Sequence, residues 1–304
     1  MQKRIAICIP TYMRPEGLRR LLAALSLREI PAGCEVKIVV VDNEGSQLTR
    51  KICEESAREL MVPVIYCCES RRGISQVRNK AVEVARQVAD FLVFIDDDEV
   101  PLDRWLEHLI ACQEKYDADA VSGPIVPHFV APVPQWIIDG RFFDRERYPT
   151  GTHLKVSRTG NVILKVNSVE RVGGFDESYA LKGGGDADFF MRLYKCGGLM
   201  VWSDEAVVEE WLPPSRTQLR WLLQRAYSGG TTDAGHRARE HQSRAKIILR
   251  GTLRMGKGVC LMIVSAPQGK SEAVRALQRI LFGAGMIAGA FGWQYEQYRR
   301  VHSV

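Results

Sequence analysis

Three consecutive aspartates, Asp96-Asp97-Asp98, close the apolar run Phe91–Ile95. If the extended form continues past Ile95, Asp96 and Asp98 point to one side and Asp97 to the other. Two carboxylates on one side of a loop tip suit a hard divalent cation, and magnesium or manganese there would keep waters and bridge to a diphosphate. A solvated acidic turn is the plainer alternative. A second signal is Gly183-Gly184-Gly185-Asp186-Ala187-Asp188. Three glycines allow backbone to approach a ligand closely. Asp186 falls just before the helical stretch Phe189–Lys195, where amide groups and the dipole favour a carboxylate. Taken alone, a helix cap is the favoured reading, with Asp188 the better candidate for a structural role. No Ser-His-Asp or Cys-His arrangement is evident.

These side chains need a frame. Over residues 1–120 strand-like and helix-like patterns alternate. Arg4–Ile9, Glu35–Val41, Val62–Cys67, Asp90–Ile95 and Ala118–Gly123 read as strands; Glu16–Leu27, Ser46–Leu60, Ser75–Val88 and Arg104–Lys115 read as helices. Such alternation predicts an α/β fold, a mostly parallel sheet with helices on both faces. Ligands on these sheets bind beyond the carboxyl ends of the strands. Thr11-Tyr12, Asp42 and Asp96–Asp98 all fall at such ends. Residues 124–160 mix five prolines with Phe129, Trp136, Phe142, Phe143 and Tyr148, which reads as an irregular binding segment. Val162–Val166 and Val201–Glu210 return to strand, and Thr217–Tyr227 to helix.

The chain's 304 residues suffice for one large domain or two modest ones, and 46% hydrophobic and 26% charged residues exclude global disorder. Eight cysteines without a C-x-x-C pair argue against a structural zinc site and point to a reducing, cytosolic compartment. The first apolar run is too short for a signal sequence and reads as a buried strand. Residues 211–304 carry 15 Lys and Arg against 4 Asp and Glu, whereas residues 1–210 carry 27 against 32. An acidic front and a basic tail suggest separate tasks. The tail has two uncharged stretches, Gly258–Gly269 and Ile280–Tyr295, both short of the roughly 20 residues of a membrane span. Gly285 and Gly289 form a small-x-x-x-small pair. Peripheral contact with an anionic membrane is the first reading, ahead of a soluble helical hairpin and of insertion. His236 and His241 lie in a charged stretch and read as solvated.

In order, the chain carries Ile9-Pro10-Thr11-Tyr12-Met13-Arg14, Val41-Asp42-Asn43, Arg72-Gly73-Ile74 with Arg78-Asn79, Phe94-Ile95-Asp96-Asp97-Asp98-Glu99, Gly173-Gly174-Phe175-Asp176, and Gly184-Gly185-Asp186-Ala187-Asp188-Phe189-Phe190. Six motifs in this order over about residues 3–215 resemble the family-two inverting glycosyltransferases of GT-A fold, in particular enzymes of bacterial exopolysaccharide synthesis, succinoglycan-type glucosyltransferases among them. The resemblance implies a GT-A, Rossmann-like domain over 1–228, with a nucleotide-binding half at 1–123 and an acceptor and catalytic half at 124–228. A basic helical region follows over 229–304. It implies transfer of one sugar, with inversion, from a nucleotide-diphosphate sugar, first a UDP-sugar, to an acceptor hydroxyl of a glycan or lipid-linked oligosaccharide. The setting is the cytoplasm, at the cytoplasmic face of the inner membrane. Thr11 and Asp42 would line the base pocket, framed by Arg72 and Arg78. Pro10, Tyr12, Arg14, Gly73, Asp96 and Asp97 would also contact the nucleotide sugar. Asp98, with Asp96, would hold the divalent metal, Mg2+ or Mn2+, and Asp186 would be the general base.

Three departures stand out. Many relatives carry Glu before the base, where this chain has Gly185. Many carry a metal-ligating His after the late strand; here Val208-Glu209-Glu210-Trp211 offers Glu210, or as second choice Glu209. Gln218-Leu219-Arg220-Trp221 lacks the spacing of the processive synthases' Gln-x-x-Arg-Trp, so a single transfer is expected. Trp136, Asn161, Gly185, Arg216 and Trp221 are candidates for acceptor or phosphate contact, guanidinium forks being suited to phosphate. Two other readings are a non-catalytic scaffold that binds sugar nucleotide or membrane, and a sugar-nucleotide pyrophosphorylase. The latter should carry a basic Gly-rich loop where this chain has Pro10-Thr11-Tyr12. No nucleic-acid module is present.

Overall fold

Alternating apolar residues build the sheet. Along Lys3–Thr11 (β1), Ile5, Ile7 and Ile9 face one way and Ala6 and Cys8 the other, all buried. Along Cys34–Asp42 (β2), Val36, Ile38 and Val40 oppose Val39 and Val41 in the same way. A strand apolar on both faces must be covered on both. In the computed structural model, which describes residues 2–265 and 269–296, helices do this. Pro15–Ser26 (α1), Gln47–Glu59 (α2) and Trp105–Tyr116 (α4) cover one face. Ile74–Ala85 (α3), Val166–Val172 (α6) and Gly185–Lys195 (α7) cover the other.

The sheet also contains Val64–Cys68 (β3), Phe91–Phe94 (β4), Ala120–Ser122 (β6), Val162–Lys165 (β8) and Met200–Trp202 (β9), in the order β3-β2-β1-β4-β8-β6-β9. β1 runs parallel to β2 and β4, and β8 alone runs against its neighbours. Parallel pairing sets the carboxyl ends of β1, β2 and β4 along one edge, with Thr11 opposite Asp42. The expected strand Val201–Glu210 divides. Its first part is β9; after a break, Val208–Leu212 (β10) joins Glu99–Pro101 (β5) and Ile125–Phe129 (β7) in a second sheet of order β5-β10-β7. Asp204 lies in the break, held by the Arg147 guanidinium at 2.9 Å.

Asn161 spans the gap between the two sheets. Its amide nitrogen donates to the carbonyls of Pro124 (3.0 Å) and Ala206 (2.7 Å), and its oxygen accepts from the Trp105 indole at 2.7 Å. It is 2% exposed. This corrects its expected place at the acceptor or phosphate: both donor hydrogens are spent inside the fold. Asn161→Ala strands three buried polar partners and opens a small void, so urea unfolding should show a loss of about 2–4 kcal/mol with nucleotide affinity unchanged.

Residues 124–160 are largely irregular beyond β7 and Gln135–Asp139 (α5), as composition predicts, but their aromatic rings pair. Trp136 meets Phe142 at 5.6 Å, and Phe143 stacks on Trp221 at 5.8 Å. The chain then forms Leu219–Arg239 (α8), Arg244–Ser265 (α9) and Lys270–Ala290 (α10). The expected border at 228 therefore lies within α8. Ser228-Gly229-Gly230 resembles a breaker, yet its small residues are where α10 packs: a Cβ on Gly230 would lie 2.0 Å from the Phe282 carbonyl oxygen. A Cβ on Gly285 would likewise lie 2.2 Å from the Tyr227 carbonyl oxygen, and one on Gly289 2.6 Å from the Ala234 Cβ, so the Gly285/Gly289 pair serves packing within the protein. No described helix is long and apolar enough to cross a membrane. The eight cysteines are free.

Candidate active site

The carboxyl edge of the sheet is shaped first by Asp42. Its Oδ1 accepts from the Glu44 amide (2.8 Å), and its Oδ2 from the Ser46 amide (2.8 Å) and the Tyr66 hydroxyl (3.0 Å). The buried carboxylate thus holds the loop into α2 in an Asx turn. Next to it, Asn43 donates to the Glu69 and Arg71 carbonyls and accepts from the Gly73 amide at 2.8 Å. Gly73 takes φ +147°, and a Cβ there would lie 2.5 Å from that of Ala180, so only glycine fits. The Arg72 guanidinium lies 5.2 Å from the centre of the Tyr12 ring.

The acidic triplet does not stay extended. The Glu99 amide donates to the Asp96 carbonyl at 3.0 Å and turns the chain. Asp97 and Asp98 therefore share one guanidinium nitrogen, Arg14 Nη1, at 2.9 Å each, instead of pointing apart. Thr11 donates to Asp97 at 2.8 Å. Gly17 lets α1 close on this turn, since a Cβ would lie 2.5 Å from the Asp97 carbonyl oxygen. Asp96 faces α3, where Arg78 approaches it at 4.0 Å. Behind it Glu99, 2% exposed, accepts from the Asp96 amide at 2.9 Å. Burial, reinforced by Asp96 and Asp98, raises the Glu99 carboxyl well above the usual range. Burial likewise pushes Asp96 up to about 6, against the pull of Arg78. At Asp98 burial is outweighed by Arg216 and Arg14, which hold its carboxyl below the usual value.

The far wall comes from β10. Trp211 donates its amide to the Asp98 carbonyl at 2.8 Å, which brings Glu210 to the acidic turn. Arg216 joins the two carboxylates, reaching Asp98 at 2.8 Å and Glu210 at 3.1 Å, while Arg145 binds the other Glu210 oxygen. Glu209 points the opposite way, to His128 at 3.4 Å, so strand alternation decides between the two glutamates. Arg225 lies behind, its guanidinium 5.0 Å from the Trp221 ring. Burial lowers its pKa, and the charges of Arg145 and Arg216 add to this against Glu210. Three guanidinium groups thus gather around one glutamate.

Asp186 lies at the start of α7. Gly183 and Gly184 take φ +71° and +87°, and Gly185 opens α7 against α3, a Cβ there lying 3.2 Å from Ser75 Oγ. Asp186 then stands in the first turn, its Oδ1 accepting from the Ala187 amide at 2.8 Å. Asp188 is structural, as expected: it binds Arg192 at 2.8 Å, and Arg192 ties α7 to the Val172 and Gly174 carbonyls. Beneath the loop lies His236 of α8. A Cβ on Gly184 would be 2.8 Å from its Nε2, and its Nδ1 is 3.2 Å from the Tyr179 hydroxyl. Burial lowers its pKa against Asp188 and Asp186, so it is neutral at neutral pH. This corrects its reading as a solvated residue.

The predicted residues Pro10, Thr11, Tyr12, Arg14, Asp42, Arg72, Gly73, Arg78, Asp96, Asp97, Asp98, Glu210 and Arg216 thus share one edge, linked by contacts from Asp42 to Glu210. Gly185 abuts Ser75 on α3, the helix that also carries Arg78, and Asp186 follows Gly185 in the first turn of α7. Trp136 and Trp221 stand further out, against Phe142 and Phe143. Arg145 and Glu99 went unassigned, and His236 was read as solvated. His236 had a legible signal: Trp221, Arg225, Thr232 and His236 recur at helical spacing along one face. Arg145 had none, since it lies in an irregular segment.

Among the described residues no three His, Cys, Asp or Glu side chains are grouped to hold an ion. Asp98 and Glu210 are nevertheless already bridged by one cationic group, that of Arg216. Both offer oxygen donors, the type that Mg2+ or Mn2+ takes.

Residues 6–173 match the family described as Glycosyl transferase family 2. The succinoglycan biosynthesis protein ExoM of Rhizobium meliloti (strain 1021) is 29% identical over 299 residues, 97% of this chain and 94% of its own length. Among solved structures, residues 1–349 of S. aureus TarS in complex with UDP superpose with a TM-score of 0.56 at 17% identity, covering 95% of this chain and 92% of that one. The mannosyltransferase PcManGT of Pyrobaculum calidifontis, in complex with GDP-Man and Mn2+, gives 0.57 at 17% identity, covering 96% and 76%. The fold is GT-A, with additional C-terminal helices.

Proposed function

Because the chain belongs to glycosyl transferase family 2, we propose that it moves one sugar, with inversion, from a UDP-sugar to a hydroxyl of a glycan or lipid-linked oligosaccharide. The relative in succinoglycan biosynthesis points to an exopolysaccharide or another surface glycan as the product. In this reading the work is done in the cytoplasm, at the inner face of the membrane. One observation carries it: the contacts that join Asp42, Thr11, Asp97, Arg14, Asp98, Arg216 and Glu210 along a single sheet edge. The base lies at the Thr11 and Asp42 end; the one lone pair left on Asp42 Oδ1 is what that carboxylate offers an imide. The diphosphate lies towards Arg216, Arg145 and Arg225. Asp98 and Glu210, with Asp96 beside them, would hold a divalent cation, which would supply charge neutralisation for the leaving diphosphate. Asp186 accepts the proton of the acceptor hydroxyl. No enzyme nucleophile takes part, so the anomeric configuration inverts. Trp136 and Trp221 face the acceptor side.

A binding and hydrolysis screen of UDP-, GDP- and dTDP-sugars with Mn2+ or Mg2+ tests this. A UDP-sugar should bind tightest; preference for GDP or dTDP overturns the uridine assignment, and no binding at all overturns the donor site. Cation binding also carries a pH signature. Only ionised carboxylates bind the cation. With Asp96 pushed up to about 6, Mn2+ affinity should weaken by about tenfold per pH unit below that value, read from the electron paramagnetic resonance of free Mn2+. Affinity that stays flat through that range removes Asp96 from the site.

A further inference from the structure

Helix α9 is amphipathic with its apolar stripe turned outward. Its inner face is narrow: Ile247 is buried, and Gly251 and Gly258 meet α10 backbone, their Cβ positions 2.8 and 3.0 Å from the Gly283 and Ala276 carbonyl oxygens. On the opposite face Leu249, Leu253, Val259, Ile263 and Val264 are 58%, 57%, 48%, 73% and 68% exposed. At helical spacing they form one ridge roughly 22 Å long. Single exposed leucines are ordinary; five large apolar side chains on one helix face are an interaction surface. Near the start of α9, Phe291 and Trp293 are also exposed, with the Arg244 guanidinium 5.6 Å from the Phe291 ring.

The charges around the ridge select its partner. α9 holds Arg244, Lys246, Arg250, Arg254 and Lys257 and no Asp or Glu. By helical geometry Lys246, Arg250 and Lys257 flank the ridge on one side. A second copy laid on this face would set cation against cation with no acid on the helix to answer. We propose that α9 lies along an anionic lipid bilayer, its ridge in the headgroup and acyl boundary and Lys246, Arg250 and Lys257 on lipid phosphates. The helix lies on the membrane and does not cross it. The catalytic edge connects to this face. The ridge ends at Val264, and α10 begins against Trp136, with Ser271 donating to its carbonyl at 2.9 Å and Lys270 4.7 Å from its ring. There a cavity of about 320 Å3 is lined by Phe129, Ile137, Ile138, Phe142 and Phe143, with Arg141 and Asp144 also on its wall. Phe143 stacks on Trp221, beside Arg225. An acceptor with a lipid tail would so reach the arginine wall from the bilayer.

This deepens the membrane setting given above and rests on the glycosyl-transfer reading only for its purpose. The test therefore uses the full chain without nucleotide, so its failure leaves sugar transfer standing. The chain is sedimented with phosphatidylcholine vesicles, with and without phosphatidylglycerol. It should sediment with the anionic vesicles only, and less so as salt is raised. Leu253→Glu with Ile263→Glu should weaken this roughly a hundredfold, about tenfold for each buried side chain, with thermal midpoint and circular dichroism unchanged. Lys246→Glu with Lys257→Glu should abolish the preference for anionic vesicles. The proposal is overturned if the parent fails to bind anionic vesicles or binds both kinds equally, or if either folded double variant binds like the parent. It is overturned equally if the parent self-associates through the ridge, shown by dimers that Leu253→Glu with Ile263→Glu dissolves.

Discussion

Asp186→Asn should bind the nucleotide sugar as the parent does and transfer sugar about a thousandfold more slowly. The amide oxygen still accepts from the Ala187 amide, which the parent carboxylate does at 2.8 Å, so the loop and the start of α7 keep their form. What is lost is the capacity to take a proton, and general-base catalysis contributes about a hundred- to ten-thousandfold. Gly185 strengthens the expectation, because no neighbouring carboxylate on that side can substitute. Calorimetric binding of the donor and steady-state release of the nucleotide diphosphate separate the two quantities. Transfer at the parent rate would take the base role away from Asp186.

Asp98→Asn should have two large effects. Asp98 meets both Arg14 and Arg216, at 2.9 and 2.8 Å, with side chains that are 10–20% exposed. Removing a charge from such a buried network costs about 3 kcal/mol, visible in the thermal midpoint. Mn2+ affinity should fall by about a hundredfold or more, since a direct ligand is worth at least as much as the supporting groups whose loss costs ten- to a hundredfold. Glu209→Gln is the internal control: one residue from Glu210, it faces His128 and should leave both quantities unchanged. Mn2+ bound equally well by Asp98→Asn would place the cation elsewhere.

Much of this site was legible because parallel strands simplify geometry. Once β1, β2 and β4 are read as parallel, their carboxyl ends must share an edge, and Thr11, Asp42 and the acidic triplet follow. What strand periodicity could not supply was the turn after Ile95. Alternation separates Asp97 from Asp98, whereas the Glu99 amide folds them onto one arginine. Asn161 shows a second limit: a polar residue between strands looks functional until its partners, Pro124, Ala206 and Trp105, are seen to converge from distant segments. The helix expected over Thr217–Tyr227 runs on to Arg239, because the small residues at 228–230 admit α10 against it.

Helix α8 touches both rims of the proposed catalytic edge. Trp221 and Arg225 lie at the arginine wall, and Thr232 and His236 press on Gly184 beneath the base loop. The separation between those rims is therefore set by a rigid rod of about three turns, clamped along its middle by Phe282 and Gly285. One residue added to or removed from that rod would swing one end by about 100° relative to the other. The two halves of the reaction would then lose their common gauge, although every residue that touches the substrate were still present.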